Sequence, residues 1–492
     1  MARLLMLGLD GGDLDYIQSR AAVLPCLAQQ LKANSLFKLE APKALSGSVW
    51  PTFYNGASPG HHGIYQHLVW DAQRMGIRRI KPNWCYYKPF WQDIEQAGHS
   101  VVVLDVPYSF PVALEKGVEI TDWATHGQTL PLGCSQNAVR SLLQQMGKSP
   151  IGRETPIEKT PQELGKIHQQ IEASAALKGE LILKLSKEVN WELFIAIFAE
   201  THRGGHTFFS DRDEQASVED TPLLKIYQAV DRALAKIIEG VDADTTVMIF
   251  SVHGMARDYA QGHVVQPLMK KINEVFLSKY ANIAPKAPLK TNALVPYLRR
   301  VIPANLQYAV GSAVPDGVRQ WVVEKEIIGG LDWQRTPGFA LRTDIRTELR
   351  LNLVGREAQG ILEPQSELCQ QYIDFVKTSF LELRDRETGV SLVDEVVSTH
   401  QLFPGQNCEA LPDLVITWHS QPPVQRVYSP LVGEVTAKPS GARGGDHTDF
   451  GFAIAPDLPP GLASLSHIED LSQFCRSFLG VSPQKSEITS AY

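Results

Sequence analysis

Residues 4–12 read LLMLGLDGG, six residues without a polar side chain running into Asp10 and two glycines. An apolar run of this length, with no in–out alternation, predicts a strand buried on both faces, as in a parallel sheet. Runs of the same kind recur at 101–106 (VVVLDV), 193–199 (LFIAIFA), 246–251 (TVMIFS), 412–417 (PDLVIT, with Pro412 leading in) and 451–455 (GFAIA). Between them lie helical patterns. After Asp220-Thr221-Pro222, the residues Leu223, Ile226, Tyr227, Val230, Leu234 and Ile237 share one face, with Asp220 or Thr221 as cap and Gly240 at the end. A second pattern, from Ser466 to Leu479, presents Ile468, Leu471, Cys475 and Leu479. This alternation predicts an α/β fold, a mostly parallel central sheet flanked by helices on both faces.

The chain has 492 residues, and 47 basic against 54 acidic side chains give a net charge of −7. With 43% hydrophobic and 21% charged residues it has ample material for a core. The acidic balance argues against binding a nucleic-acid polymer, which takes a basic footprint. No apolar run reaches the ~20 residues of a membrane span. Met1-Ala2-Arg3 leads straight into the first strand pattern, too short for a secretory segment, and the six cysteines are scattered without a C-x-x-C pair. The expectation is a cytoplasmic protein. One domain over 1–492 is expected, with a Gln/Pro-rich insertion at about 127–165 and a cap at about 262–335, where Val295, Tyr297, Leu298, Val301 and Ile302 call for burial. Surface decoration is an equal reading of both segments. Nothing in the sequence reads out an oligomeric state.

Ligands of such a sheet bind beyond the carboxyl ends of the strands. The first run ends at Asp10, which with Gly11 and Gly12 also reads as a simple turn. The run at 193–199 leads into Glu200-Thr201-His202-Arg203-Gly204-Gly205-His206, where two histidines four apart share a helical face and suit one metal ion. The run at 246–251 leads into His253, and His447 precedes the last run. Four of the fourteen histidines therefore sit at or beside strand ends, with Asp10. Residues 45–64, LSGSVWPTFYNGASPGHHGI, offer Ser46 and Ser48 in a small-residue loop, with Pro51 placed to begin a helix.

Together these segments resemble the alkaline phosphatase superfamily, in its type I phosphodiesterase/nucleotide pyrophosphatase branch. The resemblance rests on Leu7-Gly8-Leu9-Asp10-Gly11, on Ser46-Gly47-Ser48-Val49-Trp50-Pro51-Thr52 with Gly56, and on Pro59-Gly60-His61-His62-Gly63-Ile64. Pro89-Phe90-Trp91 through Val106-Pro107, Asn352 to Gly360, Pro412-Asp413-Leu414 and the segment at His447 extend it over most of the chain. The resemblance implies Ser46 as nucleophile and two metal ions, usually zinc. One site would use His202, His206 and His447, the other Asp10, Ser46 and His253. His202 stands where the family commonly has Asp, and Val252 where it has the Asp of an Asp-His pair. One tightly bound zinc and a weaker second ion are expected, with manganese as an alternative; Glu200, Asp446 and Asp449 are open as stand-in ligands, which the sequence does not decide. The implied activity is hydrolysis or transfer of a phosphoryl ester, most simply a phosphodiester, on a small anionic substrate. A sulfatase is disfavoured because Trp50 stands where that relative has Arg. A metal-depleted Ser–His acyl or carbamoyl transferase and a degenerate anion-binding protein are the alternatives. Trp123, His126 and Arg356 are candidates for reaching a leaving group, with structural roles equally open.

Overall fold

The run at residues 4–9 forms the centre of a seven-stranded sheet in the computed structural model. That structure describes residues 2–482, apart from 82–87, 113, 126–136, 153–158, 211, 216–219, 282–320, 323, 326, 343–345, 440–442, 460 and 461. The strands are β1 (Arg3–Leu9), β2 (Ser35–Glu40), β3 (Val101–Leu104), β4 (Val118–Ile120), β5 (Leu193–Phe198), β6 (Thr245–Ser251) and β7 (Phe450–Ala455), in the spatial order β2-β7-β6-β1-β5-β3-β4. β1 pairs in parallel with β5 and β6, and β3 pairs in parallel with β5 and β4. β7 runs antiparallel to both β6 and β2, which corrects the expectation that 451–455 would be one more parallel strand.

Both faces of the sheet are covered, as the unbroken apolar runs require. Leu5, Leu7 and Leu9 face a core built with α2 (Pro161–Glu188) and α4 (Pro222–Gly240). Leu4 and Met6 face another, built with α1 (Val49–Asn55) and the helices Phe90–Gln96 and Asp470–Phe478. α4 begins as its sequence predicts: Thr221 is the cap, its Oγ1 accepting from the Leu224 N–H at 3.1 Å, and Pro222 follows. The last helix begins at Asp470 instead of Ser466. The backbone at 466–468 is taken up by Glu40, whose N–H donates to Ser466 O while its carbonyl accepts from Ile468 N.

The run at 412–417 is not in this sheet. Leu414–Trp418 lies in a second, four-stranded antiparallel sheet with Gly338–Arg342, Thr347–Leu351 and Val393–Ser398. Leu414, Ile416 and Trp418 pack into a core with the helices Gly262–Tyr280 and Glu367–Leu381, whereas Val415 packs into another with Leu45, Ile64 and Tyr65. Of the expected cap, residues 262–280 thus form a helix in the core of this second sheet, and Val295 to Ile302 lie outside the described residues. Arg356 is also structural. Its guanidinium makes two 2.7 Å bonds to the Asp413 carboxylate and a third contact to Glu357, all largely buried, so it is not free for a leaving group. Buried bidentate pairing of this kind is specific in geometry. It accounts for the Asn352–Gly360 and Pro412-Asp413 motifs together.

Candidate active site

At the carboxyl end of β1, Asp10 hydrogen-bonds through its amide to Phe198 O at 2.9 Å, which aligns the ends of β1 and β5. α3 (Glu200–Phe208) begins two residues later and carries His202 and His206. Thr201 fastens this helix to β1 by donating Oγ1–H to Asp10 O at 2.6 Å. The two glycines inside α3 are contacts, not breaks. A side chain at Gly204 would press on Ile226 of α4, and one at Gly205 would come within 2.6 Å of Met255. Beyond β6, Ser251 Oγ reaches both Leu9 O and His253 O, at 2.6 and 2.7 Å, and so holds His253 beside Asp10. His447 arrives on the short strand Gly445–His447, paired with Met255–Arg257.

The Nε2 atoms of His202, His206 and His447 form a triangle with sides of 2.9, 3.0 and 3.2 Å. Three ring nitrogens at such distances cannot satisfy one another by hydrogen bonds alone, and they fit the ~3.3 Å edge of a tetrahedron at a Zn–N distance of ~2.0–2.1 Å. His206 Nδ1–H donates to Gly445 O at 2.7 Å, which leaves Nε2 as the electron-pair donor. His253 shows the same logic: Nδ1 meets Gly254 O at 2.9 Å, and Nε2 faces Asp10 Oδ1 at 3.1 Å. With Nδ1 donating, the Nε2 lone pair and the carboxylate point at one place, the situation a shared cation resolves. Asp10, His202 and His253 form a second group of converging ligand atoms, so His202 borders both. The donor set thus fits a divalent metal.

Ser46 opens a 3-10 turn, Ser46–Ser48, that runs into α1. One turn further, Trp50 donates its indole N–H to Asp10 Oδ1 at 2.8 Å, tying the loop to the cluster. Ser46 is 6% exposed, and among the described residues its hydroxyl makes no hydrogen bond. Ser48 instead neighbours Thr52 at 3.5 Å, and Thr52 Oγ1 lies 3.1 Å from His62 Nε2. His62 Nδ1 accepts from the Ile64 N–H, so its Nε2 donates, and burial holds this imidazole down at about 3. It cannot serve Ser48 as a base.

The sequence left open whether Glu200, Asp446 or Asp449 stands in for a missing ligand. Glu200 does not: it faces the opposite way, accepting from Ser174 Oγ at 2.6 Å beside Lys178, and burial raises its pKa. Lys178 is fully buried and donates to Ile197 O while pairing with Asp105, so it braces the start of α3 from below. Asp449 pairs with Arg346 at 2.9 Å. Asp446 is pushed up to about 7 by desolvation and by Asp258, and lies outside both ligand groups. Val252 is fully buried in the apolar cluster with Trp50 and Phe250. Trp123 is buried, its indole donating to Gly147 O at 3.2 Å, and His126 lies outside the described residues. The Trp50 and Lys178 contacts were not read from sequence, because each joins separate segments, 40 residues apart for Trp50–Asp10 and 19 for Lys178–Ile197, without a local pattern.

The family model described as type I phosphodiesterase / nucleotide pyrophosphatase matches residues 4–348. Phosphonoacetate hydrolase from Sinorhizobium meliloti 1021, solved with phosphonoformate, is similar in structure, with a TM-score of 0.54 at 12% identity over 98% of this chain and 96% of that one. Human ectonucleotide pyrophosphatase / phosphodiesterase 5 gives a TM-score of 0.49 at 10% identity over the same shares. A search of the curated proteins finds no match.

Proposed function

The chain belongs to the type I phosphodiesterase/nucleotide pyrophosphatase family, of the alkaline phosphatase superfamily, and from that premise we propose that it is a metal-dependent phosphodiesterase with Ser46 as covalent nucleophile. Hydrolysis of phosphoryl esters is the family's chemistry. The observation that carries the finer reading is the convergence of three imidazole Nε2 atoms and the Asp10–His253 pair on the end of β1, with the Ser46 loop tethered there by Trp50.

His202, His206 and His447 would hold one ion tightly, and Asp10, His253 and Ser46 a second more weakly, since Val252 offers no ligand. Zinc suits the imidazole-rich donors, with manganese as the alternative; when bound, such an ion supplies Lewis-acid polarisation and acidifies water. Ser46 Oγ forms a bond to phosphorus as the bond to one ester oxygen breaks, and that alcohol leaves with a proton. Water then attacks the phosphorylated serine, giving the monoester and restoring the hydroxyl. Trp50 keeps Asp10 oriented throughout, and Gly254 O fixes the tautomer of His253. The substrate proposed is a small anionic phosphoester.

No observation favours the Ser–His transfer alternative, because both ring nitrogens of His253 are already engaged by Gly254 O and Asp10. Among the described residues no helix is long and apolar enough to cross a membrane. A reducing, cytoplasmic setting is part of the proposal, and the free thiols of Cys26, Cys369, Cys408 and Cys475 fit it. The test is turnover of a bis-aryl phosphate and an aryl monophosphate by zinc- or manganese-loaded protein. Preference for the diester, lost on chelation and in Ser46→Ala, is expected. No turnover with either metal, or full activity in Ser46→Ala, would contradict the reading.

A further inference from the structure

Beside the Ser46 loop lies a carboxamide that the reaction as written does not use. Gln66 is 3% exposed, and among the described residues neither its Nε2 nor its Oε1 has a hydrogen-bond partner. The loop is shaped around it. Gly47, the residue after Ser46, has no side chain, and a Cβ there would fall 2.2 Å from Gln66 Nε2, 2.3 Å from its Cδ and 2.3 Å from Tyr65 O. The amide therefore rests on the backbone one residue, ~3.8 Å in Cα spacing, from the proposed nucleophile.

Neighbouring polar groups do not explain its presence. Ser48, Thr52 and His62 form their own chain, and the Tyr65 hydroxyl accepts from the Trp70 N–H at 2.7 Å. Leaving a buried amide unmade is costly, and an apolar side chain of the same shape would avoid the cost. A ligand that completes it restores what is lost, and its chemistry follows from the carboxamide. Nε2 offers two donors and Oε1 accepts, whereas an ionised phosphate presents acceptors only. A phosphate oxygen would pair with Nε2 and leave Oε1 bare.

We propose that Gln66 is a specificity residue that reads a hydroxyl on the substrate next to the transferred phosphoryl group, so that the substrates are phosphoesters of polyols instead of simple alcohols. The hydroxyl donates to Oε1 and its oxygen, or the adjacent ester oxygen, accepts from Nε2. This rests on the phosphodiesterase reading of the same site. A site built to bond a substrate hydroxyl discriminates strongly against the analogue without it, because its own groups are then left unpaired.

The test compares glyceryl p-nitrophenyl phosphate with propyl p-nitrophenyl phosphate on the zinc-loaded protein. Wild type should prefer the glyceryl ester by 10-fold or more in kcat/KM, and the ratio should fall to about one in Gln66→Met, which keeps the side chain's length. The melting temperature of the metal-loaded, substrate-free variant should be equal to or above wild type, whereas a purely structural Gln66 predicts a lower one. A wild-type ratio near one, measured without any variant, would overturn the proposal, as would a ratio that survives in Gln66→Met. Turnover of neither ester would instead fail the phosphodiesterase reading, and the proposal with it. Equal turnover of both fails only the proposal.

Discussion

The indole of Trp50 donates to Asp10 Oδ1 at 2.8 Å, the same oxygen that faces His253 Nε2 at 3.1 Å. One carboxylate oxygen thus joins the helix behind the proposed nucleophile to the end of the central strand and to the histidine cluster. Hydrogen bonds to a charged acceptor are worth ~1.5–3 kcal/mol when one partner is removed. Trp50→Phe keeps most of the ring volume in its cluster and removes the donor. The expected result is a fall in kcat of roughly 10- to 100-fold, with zinc content at the three-histidine site retained by elemental analysis. Unchanged kcat would show that Asp10 needs no such tether.

Metal stoichiometry separates the two ligand groups. The His202, His206 and His447 triangle offers three neutral donors, and the adjoining group loses a ligand at Val252. Extensively dialysed protein should retain about one equivalent of zinc, and His206→Ala should lose it. Two equivalents surviving dialysis would mean that the Asp10 group is as strong as its neighbour.

Val252→Asp probes the same difference from the other side. The position is fully buried among apolar side chains, so an unpaired carboxylate there should destabilise the chelated protein by roughly 3–5 kcal/mol. Zinc should restore part of that loss and raise the bound stoichiometry, seen by thermal melts with and without metal. A variant with no zinc-dependent gain would show that residue 252 faces the apolar cluster alone.

Glu119 supplies a pH signature away from the site. It is fully buried on β4, and desolvation raises it to about 8 from the ordinary 4.5, only partly offset by bonds from Val112 N and Trp91 Nε1. A folded-state value above the unfolded one means that the stability it contributes is present below about 4.5 and is lost as pH rises through 8. Glu119→Gln should therefore gain stability over wild type progressively across that window, to a ceiling on the order of 5 kcal/mol. Denaturant titrations at pH 5, 7 and 9 (about three steps across the window) would show it, and a pH-independent difference would contradict the shift.

The sequence made the central sheet legible where burial on both faces leaves unbroken apolar runs, as in β1, β5 and β6. The same signature misplaced Leu414–Trp418, because that antiparallel strand is also sandwiched between two cores. Apolarity on both faces reports burial and says nothing of direction. β2, reading SLFKLE, kept too many polar residues to be seen at the sheet's edge. In the site, the spacing of His202 and His206 and the strand-end position of Asp10 could be read locally. The Trp50–Asp10 bond, the Lys178–Asp105 pair and the seating of Gln66 on Gly47 could not, since each joins separate segments through side-chain reach alone.

The central claim is that Ser46 becomes phosphorylated during turnover. Rapid acid quenching of the zinc-loaded protein with a bis-aryl phosphate, followed by peptide mass spectrometry, measures this directly. The account predicts an aryl-phosphoryl adduct on the peptide containing Ser46, localised to that residue and absent from Ser46→Ala. An adduct on Ser48, or continued turnover in Ser46→Ala with no adduct on either serine, would contradict it.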